Sequence, residues 1–439
     1  MGNSAGLKSI SLLTATCLVI ANMVGTGVFT SLGFQVGDLP SGFAIMVLWA
    51  LGGVCAICGA LCYGELAAAL PRSGGEYHFL REIFHPAVGF LAGWLSATVG
   101  FAAPVALAAM AFANYFHGVF PSAAPMPASL VIVALITLVH VRGISLGSRF
   151  QTCATLFKLL LITAFIIAGM AFAPPQQVTF FPAPGDDALL ASGPFAVSLV
   201  YVMYAYSGWN ASTYISGEIR EPGRNVPLSV ALGTLVVMAL YLALNATFLR
   251  AAPLSELRGK LDVGHVAAAH IFGQTGGRLM AGLICAGLVS SISAMTWVGP
   301  RVAMTMGEDF RGLRFLAQRS RDGVPVAAML FQSAIVVVLL VSATFEKVLT
   351  YVQFSLTLCS ALTVLGVIVL RFTRPDLPRP YRTWGYPLTP LIFLAISGWM
   401  MVHILRSNLT ESLAGVATLA VGLIVYFVSK KPRQPGATA

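Results

Sequence analysis

Charge is what this sequence has least of. Of its 439 residues only 16 are acidic and 26 basic, together 10% of the chain. A soluble protein of this length divides into several domains and needs a charged surface to stay dispersed. That class is excluded. The seven cysteines (Cys17, Cys55, Cys58, Cys62, Cys153, Cys285, Cys359) and the seven histidines fall at no metal-ligand spacing. Cys55, Cys58 and Cys62 share one face of an apolar stretch and could suggest a metal site, but small residues for close helix packing account for them better. No nucleophile–base motif and no cluster of His, Asp, Glu or Cys at one interface is present, so the sequence predicts neither an enzyme nor a metal or organic cofactor. The sequence also predicts no cleavable signal, because the first apolar run is too long for a signal core and no small-residue cleavage site follows it.

What the chain has instead is apolar length. It is 57% hydrophobic with a mean hydropathy of +0.84. Residues 9–37, 39–64, 83–141, 159–185, 188–217, 225–249, 279–300, 323–345, 348–370, 383–405 and 412–429 carry no Asp, Glu, Lys or Arg. About 20 apolar residues make a helix of roughly 30 Å, the thickness of the hydrocarbon core. The stretch 83–141 is long enough for two spans, turning near Pro121, Pro125 and Pro127. Residues 149–172 make a span interrupted only by Lys158. The pattern predicts an all-α membrane protein of twelve transmembrane helices, near 10–34, 42–68, 86–116, 127–141, 149–172, 192–216, 226–249, 277–299, 325–343, 347–370, 387–405 and 410–429.

The basic residues give the orientation. With the N-terminus in the cytoplasm, the inner side holds Lys8, Arg72, Arg81, Arg142, Arg149, Arg220, Arg224, Arg301, Arg311, Arg314, Arg319, Arg321, Arg371, Arg374, Arg379, Arg382, Lys430, Lys431 and Arg433. The outer side holds only Arg250, Arg258, Lys260, Arg278, Lys347 and Arg406. This split of 19 to 6 predicts both termini in the cytoplasm. It also explains the net charge of +10 without nucleic acid, since the excess lies beside an anionic membrane face. The outer segment 251–276 reads as a short amphipathic helix, and the inner insertion 301–322 as a helix on the membrane surface.

Two spans are interrupted. "ANMVGTGVF" (21–29) breaks the first and "YAYSGWN" (204–210) the sixth, each with glycine and small residues inside an apolar run. They lie five spans apart, and an odd number turns the second unit over relative to the first. Matched breaks in two inverted halves point to a carrier's binding site, because a break frees backbone polar groups that hydrocarbon does not tolerate unsatisfied. The expected architecture is a single domain over 1–439 with a five-plus-five inverted-repeat (LeuT-like) core. Its repeats cover 8–172 and 192–370, and 387–429 supplies two additional helices.

At these residues the sequence resembles the amino acid–polyamine–organocation superfamily, in its L-type amino acid transporter-like branch. The resemblance covers nearly the whole chain and rests on "MVGTGVF", on "SGGEYHFLREIFHPAVGFLAGW" (73–94), on "AYSGWNASTYISGEIREPGRNVPLS" (205–229) and on "LRFTRPDLPRPYR" (370–382). It implies an alternating-access carrier for amino acids in the plasma membrane, often an exchanger. A zwitterion has two charges that are costly to desolvate. Its carboxylate would meet the free amides of Thr26 and Gly27, with Val24 and Gly25 completing the loop and the positive helix end behind them. By the same resemblance its ammonium would meet the carbonyls of Met23, Tyr204 and Ser207. Tyr204 would close over the substrate from outside, with Gly208 in the break and Trp209 and Asn210 bracing it. Ser207 departs from the glycine frequent in broad-specificity relatives, so its hydroxymethyl group would narrow the side-chain pocket. Phe354 and Leu356 are further candidates for that pocket.

Lys158 stands alone among the charges. Nine residues beyond Arg149, at ~1.5 Å each, it would sit roughly 13 Å deep. A charge there is too deep to snorkel and is functional by default. In sodium-independent relatives a lysine on the fifth helix takes the place of a coupling cation, and Lys158 matches that position, with Ser290, Ser291 and Ser293 as candidate partners. Glu65 reads as an interfacial ion-pair member, and no other acidic residue falls within a predicted span. The expectation is therefore a sodium-independent exchanger of small neutral L-amino acids in a bacterial inner membrane, with no disulfide-linked partner subunit because no cysteine lies in an outer loop. Proton-coupled uptake, or a cationic amino acid or polyamine substrate, is the alternative.

Overall fold

A computed structural model describes residues 10–429 apart from 143, 175, 321, 322, 343 and 408. Of the basic residues used for orientation, Lys8, Arg321, Lys430, Lys431 and Arg433 lie outside the described residues. Among the described residues there are twelve principal helices, α1 to α12. Helix α1 has two halves, Leu12–Met23 and Gly27–Gln35; α2 is Gly42–Ala69; and a short helix, Glu76–Ile83, leads into α3. Helix α3 runs Pro86–Leu95 and Ala102–Val119, followed by α4 (Pro125–Val141) and α5 (Ile144–Phe172). Helix α6 is Gly193–Ala205, continued after a break by a tighter helix, Ala211–Glu218. Then come α7 (Pro222–Ala251), α8 (Val263–Asp309), α9 (Val326–Ser342), α10 (Phe345–Thr373), α11 (Leu388–Ser407) and α12 (Leu409–Ser429).

Among the described residues, eight of these helices are long and apolar enough to cross a membrane. The four others, Pro125–Val141, Gly193–Ala205, Val326–Ser342 and Leu413–Ser429, are shorter apolar helices that fall on the remaining predicted spans. Local chemistry sets the ends. Ser11, Ser41 and Ser192 each accept a hydrogen bond from a backbone amide three residues on, satisfying a donor that the first turn leaves free. In α3 the chain widens to a π-turn over Ser96–Gly100, where the amide of Phe101 reaches back to the Ser96 carbonyl at 3.2 Å. Pro104 follows within one turn and offers the Gly100 carbonyl no amide, which explains the local departure from α geometry.

Two expectations change here. The insertion 301–322 is not one surface helix: 301–309 extend α8, and only Arg311–Ala317 form a separate short turn. The segment 251–276 holds Leu254–Leu257 and then the first turns of α8, which kinks at Gly273 (φ 73°). Arg301, counted with an inner loop, is buried within α8 and pairs with Glu218 at 2.7 Å.

Candidate functional site

The interruptions in α1 and α6 fall where the sequence places them, and they pack against each other. Residues 24–26 are non-helical between the halves of α1, and 206–210 form turns after α6. Two glycines make the approach reciprocal. A Cβ on Gly27 would overlap Ala205 of α6, and one on Gly208 would lie 2.9 Å from the backbone of Asn22 in α1. Gly208 also has a φ of 95°, which favours glycine in any case. Tyr241 of α7 places its hydroxyl between the two breaks, 2.6 Å from the Met23 carbonyl and 3.0 Å from that of Ala205.

This geometry sorts the backbone groups. The amides of Thr26 and Gly27 have no acceptor among the described residues and open the second half of α1. They leave oriented donors at a helix N-terminus, the arrangement that suits an anionic group. The carbonyls are less free. That of Met23 meets Tyr241 and, at 2.8 Å, the amide of Gly25. That of Tyr204 accepts from the amide of Ser207 at 3.0 Å and from its hydroxyl at 2.7 Å. The Ser207 hydroxyl is thus turned back onto α6.

The side chains divide likewise. The Tyr204 hydroxyl lies 3.3 Å from that of Thr26, spanning the two breaks. Further along the same pair of helices, Phe34 stacks on Tyr201 (5.1 Å, 12° between planes) and Ser31 donates to the Tyr201 carbonyl. Leu356 joins Tyr204, Val99 and Val352 in one apolar cluster, whereas Phe354 packs onto Gly415 of α12. Trp209 lies edge-on to Tyr63 of α2 at 4.6 Å and near Phe393 of α11, so its ring braces the break from the α2 side. Asn210 donates to Glu76 at 3.3 Å.

Lys158 is buried, 2% exposed, and its ammonium donates to the Val24 carbonyl at 2.7 Å and to the Ser291 hydroxyl at 2.8 Å. Ser291 itself donates to the same carbonyl at 2.7 Å. A cationic side chain from α5 is thereby joined to the break of α1 and to α8. Of the other two serines, Ser290 bonds Gln151 at 3.3 Å and Ser293 lies 2.8 Å from a ring nitrogen of His140. Neither of those bonds involves the lysine.

Several residues escaped the sequence reading. Tyr241 carries no signal in an apolar helix, where a tyrosine reads as packing. Glu76 sits in a connection yet is 1% exposed, because Gly74 (φ 119°) and Gly75 (φ 52°) fold that connection inward. The Gly-Gly pair before an acidic and then apolar run, "SGGEYHFL", is the signal that could have found it. Glu65 does form ion pairs, with Arg371 at 2.7 Å and Arg379 at 3.5 Å, and accepts the Thr383 amide at 2.7 Å. At the same end of the bundle Asp309 of α8 pairs with Arg72 at 3.0 Å and with Arg81, and Tyr77 donates to it at 2.6 Å. The Ile10 carbonyl accepts the Arg220 amide at 3.0 Å, strapping the start of the chain to the segment after α6.

A bundle of long apolar helices, two of them broken at one shared place and one of those breaks bonded to a buried lysine, defines a polytopic membrane protein with a polar site at its centre. The chain belongs to the amino acid permease family, whose profile matches residues 10–427. It is an amino acid transporter of the amino acid–polyamine–organocation superfamily, and not an enzyme. Among similar proteins is the b(0,+)-type amino acid transporter 1 of Mus musculus, 27% identical over 96% of this chain and 88% of that protein. The large neutral amino acids transporter small subunit 2 of Homo sapiens is 27% identical over 97% of this chain and 81% of its own length. That second name describes one subunit of an assembly, which runs against the expectation of no disulfide-linked partner subunit.

Proposed function

We propose that this chain exchanges small neutral L-amino acids across the plasma membrane by alternating access, without sodium. The reading takes it to have twelve spans in the five-plus-five arrangement, with both termini cytoplasmic, in a bacterial inner membrane. The observation that carries it is the Lys158 ammonium on the Val24 carbonyl. A fixed positive charge bonded to the α1 break supplies what a bound cation would otherwise supply there, so the cycle needs no sodium to hold that break together.

The free amides of Thr26 and Gly27 favour a carboxylate, and the reading gives the ammonium to the Ser207 carbonyl and to those of Met23 and Tyr204, which must first release a present donor, so it assigns the site a zwitterion. Val24, Gly25 and Gly208 shape the backbone around it, and Trp209 and Asn210 brace it. A neutral side chain suits the surroundings of Tyr204, where Val99, Val352 and Leu356 provide apolar contact.

The test is transport in proteoliposomes with labelled alanine, with and without internal unlabelled amino acid, sodium and a pH gradient. Exchange predicts uptake that depends on internal substrate and is indifferent to sodium. Uptake driven by a proton gradient into empty vesicles would replace exchange with proton coupling. Preference for arginine or putrescine over alanine would remove the neutral-substrate reading.

A further inference from the structure

The carboxylate of Glu76 is surrounded by three helices and has no role in the exchange just described. One of its oxygens accepts from the Tyr63 hydroxyl of α2 at 2.5 Å, the Ser360 hydroxyl of α10 at 3.2 Å and the Asn210 amide at the end of the α6 break at 3.3 Å. Tyr214, after that break, also bonds it. The titratable groups facing it are Tyr63, Tyr214 and Cys359, all of which are neutral when protonated. Its bonded partners among the described residues are hydroxyls and an amide, with no cation among them. A buried carboxylate usually has a cationic partner. This one has mostly hydroxyls, which donate to the charged form and can accept from the protonated one, so the site can hold a charge or a proton.

The cover over it is thin. The amide of Gly74 donates to the Tyr214 carbonyl at 3.2 Å and that of Gly217 to the Ser73 hydroxyl at 2.9 Å. Gly217 is exposed. The ring of Tyr214 lies close against Gly75. These two hydrogen bonds and the Tyr214 ring join the 73–75 loop to the segment after α6, on the side of the bundle that carries Arg72, Arg81 and Arg220.

We propose that Glu76 is a proton-binding site at the inner gate: protonated while the 73–75 loop and the segment after α6 are closed over it, and losing its proton to the cytoplasm when they part. Burial pushes its pKa up to about 7, while a hydrated glutamate titrates near ~4.3. The sign follows from that difference. The closed form has the higher pKa, so protonation favours closure; the preference is complete below the hydrated value and is lost as pH rises through about 7. Cytoplasmic acidification should therefore hold the inner gate shut, and alkalinisation should ease it open.

The experiment uses the full chain in proteoliposomes, with equal pH on both sides, and follows two readouts. Infrared difference titration of the protonated-carboxyl band needs no substrate, so it stands whether or not the exchange reading holds. It should show one carboxyl titrating near pH 7 that is missing from Glu76→Gln. Exchange of labelled amino acid should rise through the same pH range in the parent, while Glu76→Gln should lose that dependence and stay near the parent's acid-side rate. Tyr63→Phe keeps the ring against Trp209 but removes one donor to the charged form, and should move the midpoint upward by about one pH unit. It serves even if Glu76→Gln fails to fold. A carboxyl band that persists in Glu76→Gln, an unchanged rate profile in that variant, or an unmoved midpoint in Tyr63→Phe would overturn the proposal.

Discussion

At the scale of single residues the site is governed by which backbone carbonyls already have partners. Val24 has two, Lys158 and Ser291. Replacing Lys158 by Ala therefore leaves that carbonyl still accepting from Ser291, and the variant should fold and insert. What it loses is the charge, and hydrogen bonds from charged groups are worth about 1.5–3 kcal/mol. Transport should fall at least about tenfold, while the variant should elute as a monodisperse species in detergent. Undiminished flux, or a parent that requires sodium, would defeat the assignment. Ser207 gives a second residue-scale test. Its hydroxyl is turned onto the Tyr204 carbonyl at 2.7 Å, so Ser207→Gly removes one of that carbonyl's two donors and a hydroxymethyl group beside the break. Competition against labelled alanine should show leucine or phenylalanine gaining, within the roughly 10- to 200-fold that one methylene can command. If leucine already wins in the parent, the pocket-size argument fails and the carrier remains.

At the scale of elements, the two breaks were legible because glycine and small polar residues stand out in an otherwise apolar run. Their mutual packing was not, since nothing in a linear pattern says that Gly27 will face Ala205 or that Gly208 will face Asn22. The same limit explains α8. Reading spans from uncharged stretches ends a helix where charge begins, yet Arg278 and Arg301 both lie inside α8, and Arg301 is buried there on Glu218. Lys158 was conspicuous for the opposite reason, as a lone charge in an apolar span. Glu76 was hidden because it belongs to a connection, and only the left-handed glycines beside it carry the connection inward. The packing of the breaks is itself testable by comparing two glycines. A Cβ on Gly27 would meet the backbone of Ala205, which has nowhere to go, whereas one on Gly25 would approach nothing nearer than 3.9 Å. Gly27→Ala should destabilise the purified protein by about 1–3 kcal/mol, as overpacking does, with a clear loss of thermal stability in detergent. Gly25→Ala should leave thermal stability near that of the parent. Equal stability losses in the two variants would mean that the breaks do not meet as described.

At the scale of the whole molecule, charge asymmetry and the parity of the helices act together. Ion pairs concentrate at one end of the bundle: Asp309 with Arg72 and Arg81, Glu218 with Arg301, and Glu65 with Arg371 and Arg379. The residues involved come from the connections after α2, α6 and α10 and from the ends of α2, α8 and α10. In a chain that crosses the membrane at every principal helix, those ends share one side. The basic members of these pairs are among the 19 residues that the charge count assigns to the cytoplasm, against 6 on the other face. Short loops rich in Arg and Lys are retained on the cytoplasmic side during insertion, so this end should be cytoplasmic and an even number of crossings should return the C-terminus to it. A reporter fused after residue 435 should read as cytoplasmic. One inserted within 251–276, which follows α7 at the opposite end, should read as external. Because seven crossings separate the start of α1 from that segment and five more separate it from the end of α12, the two reporters must disagree. Agreement between them, on either side, would break the parity and with it the inverted relation proposed for the two halves.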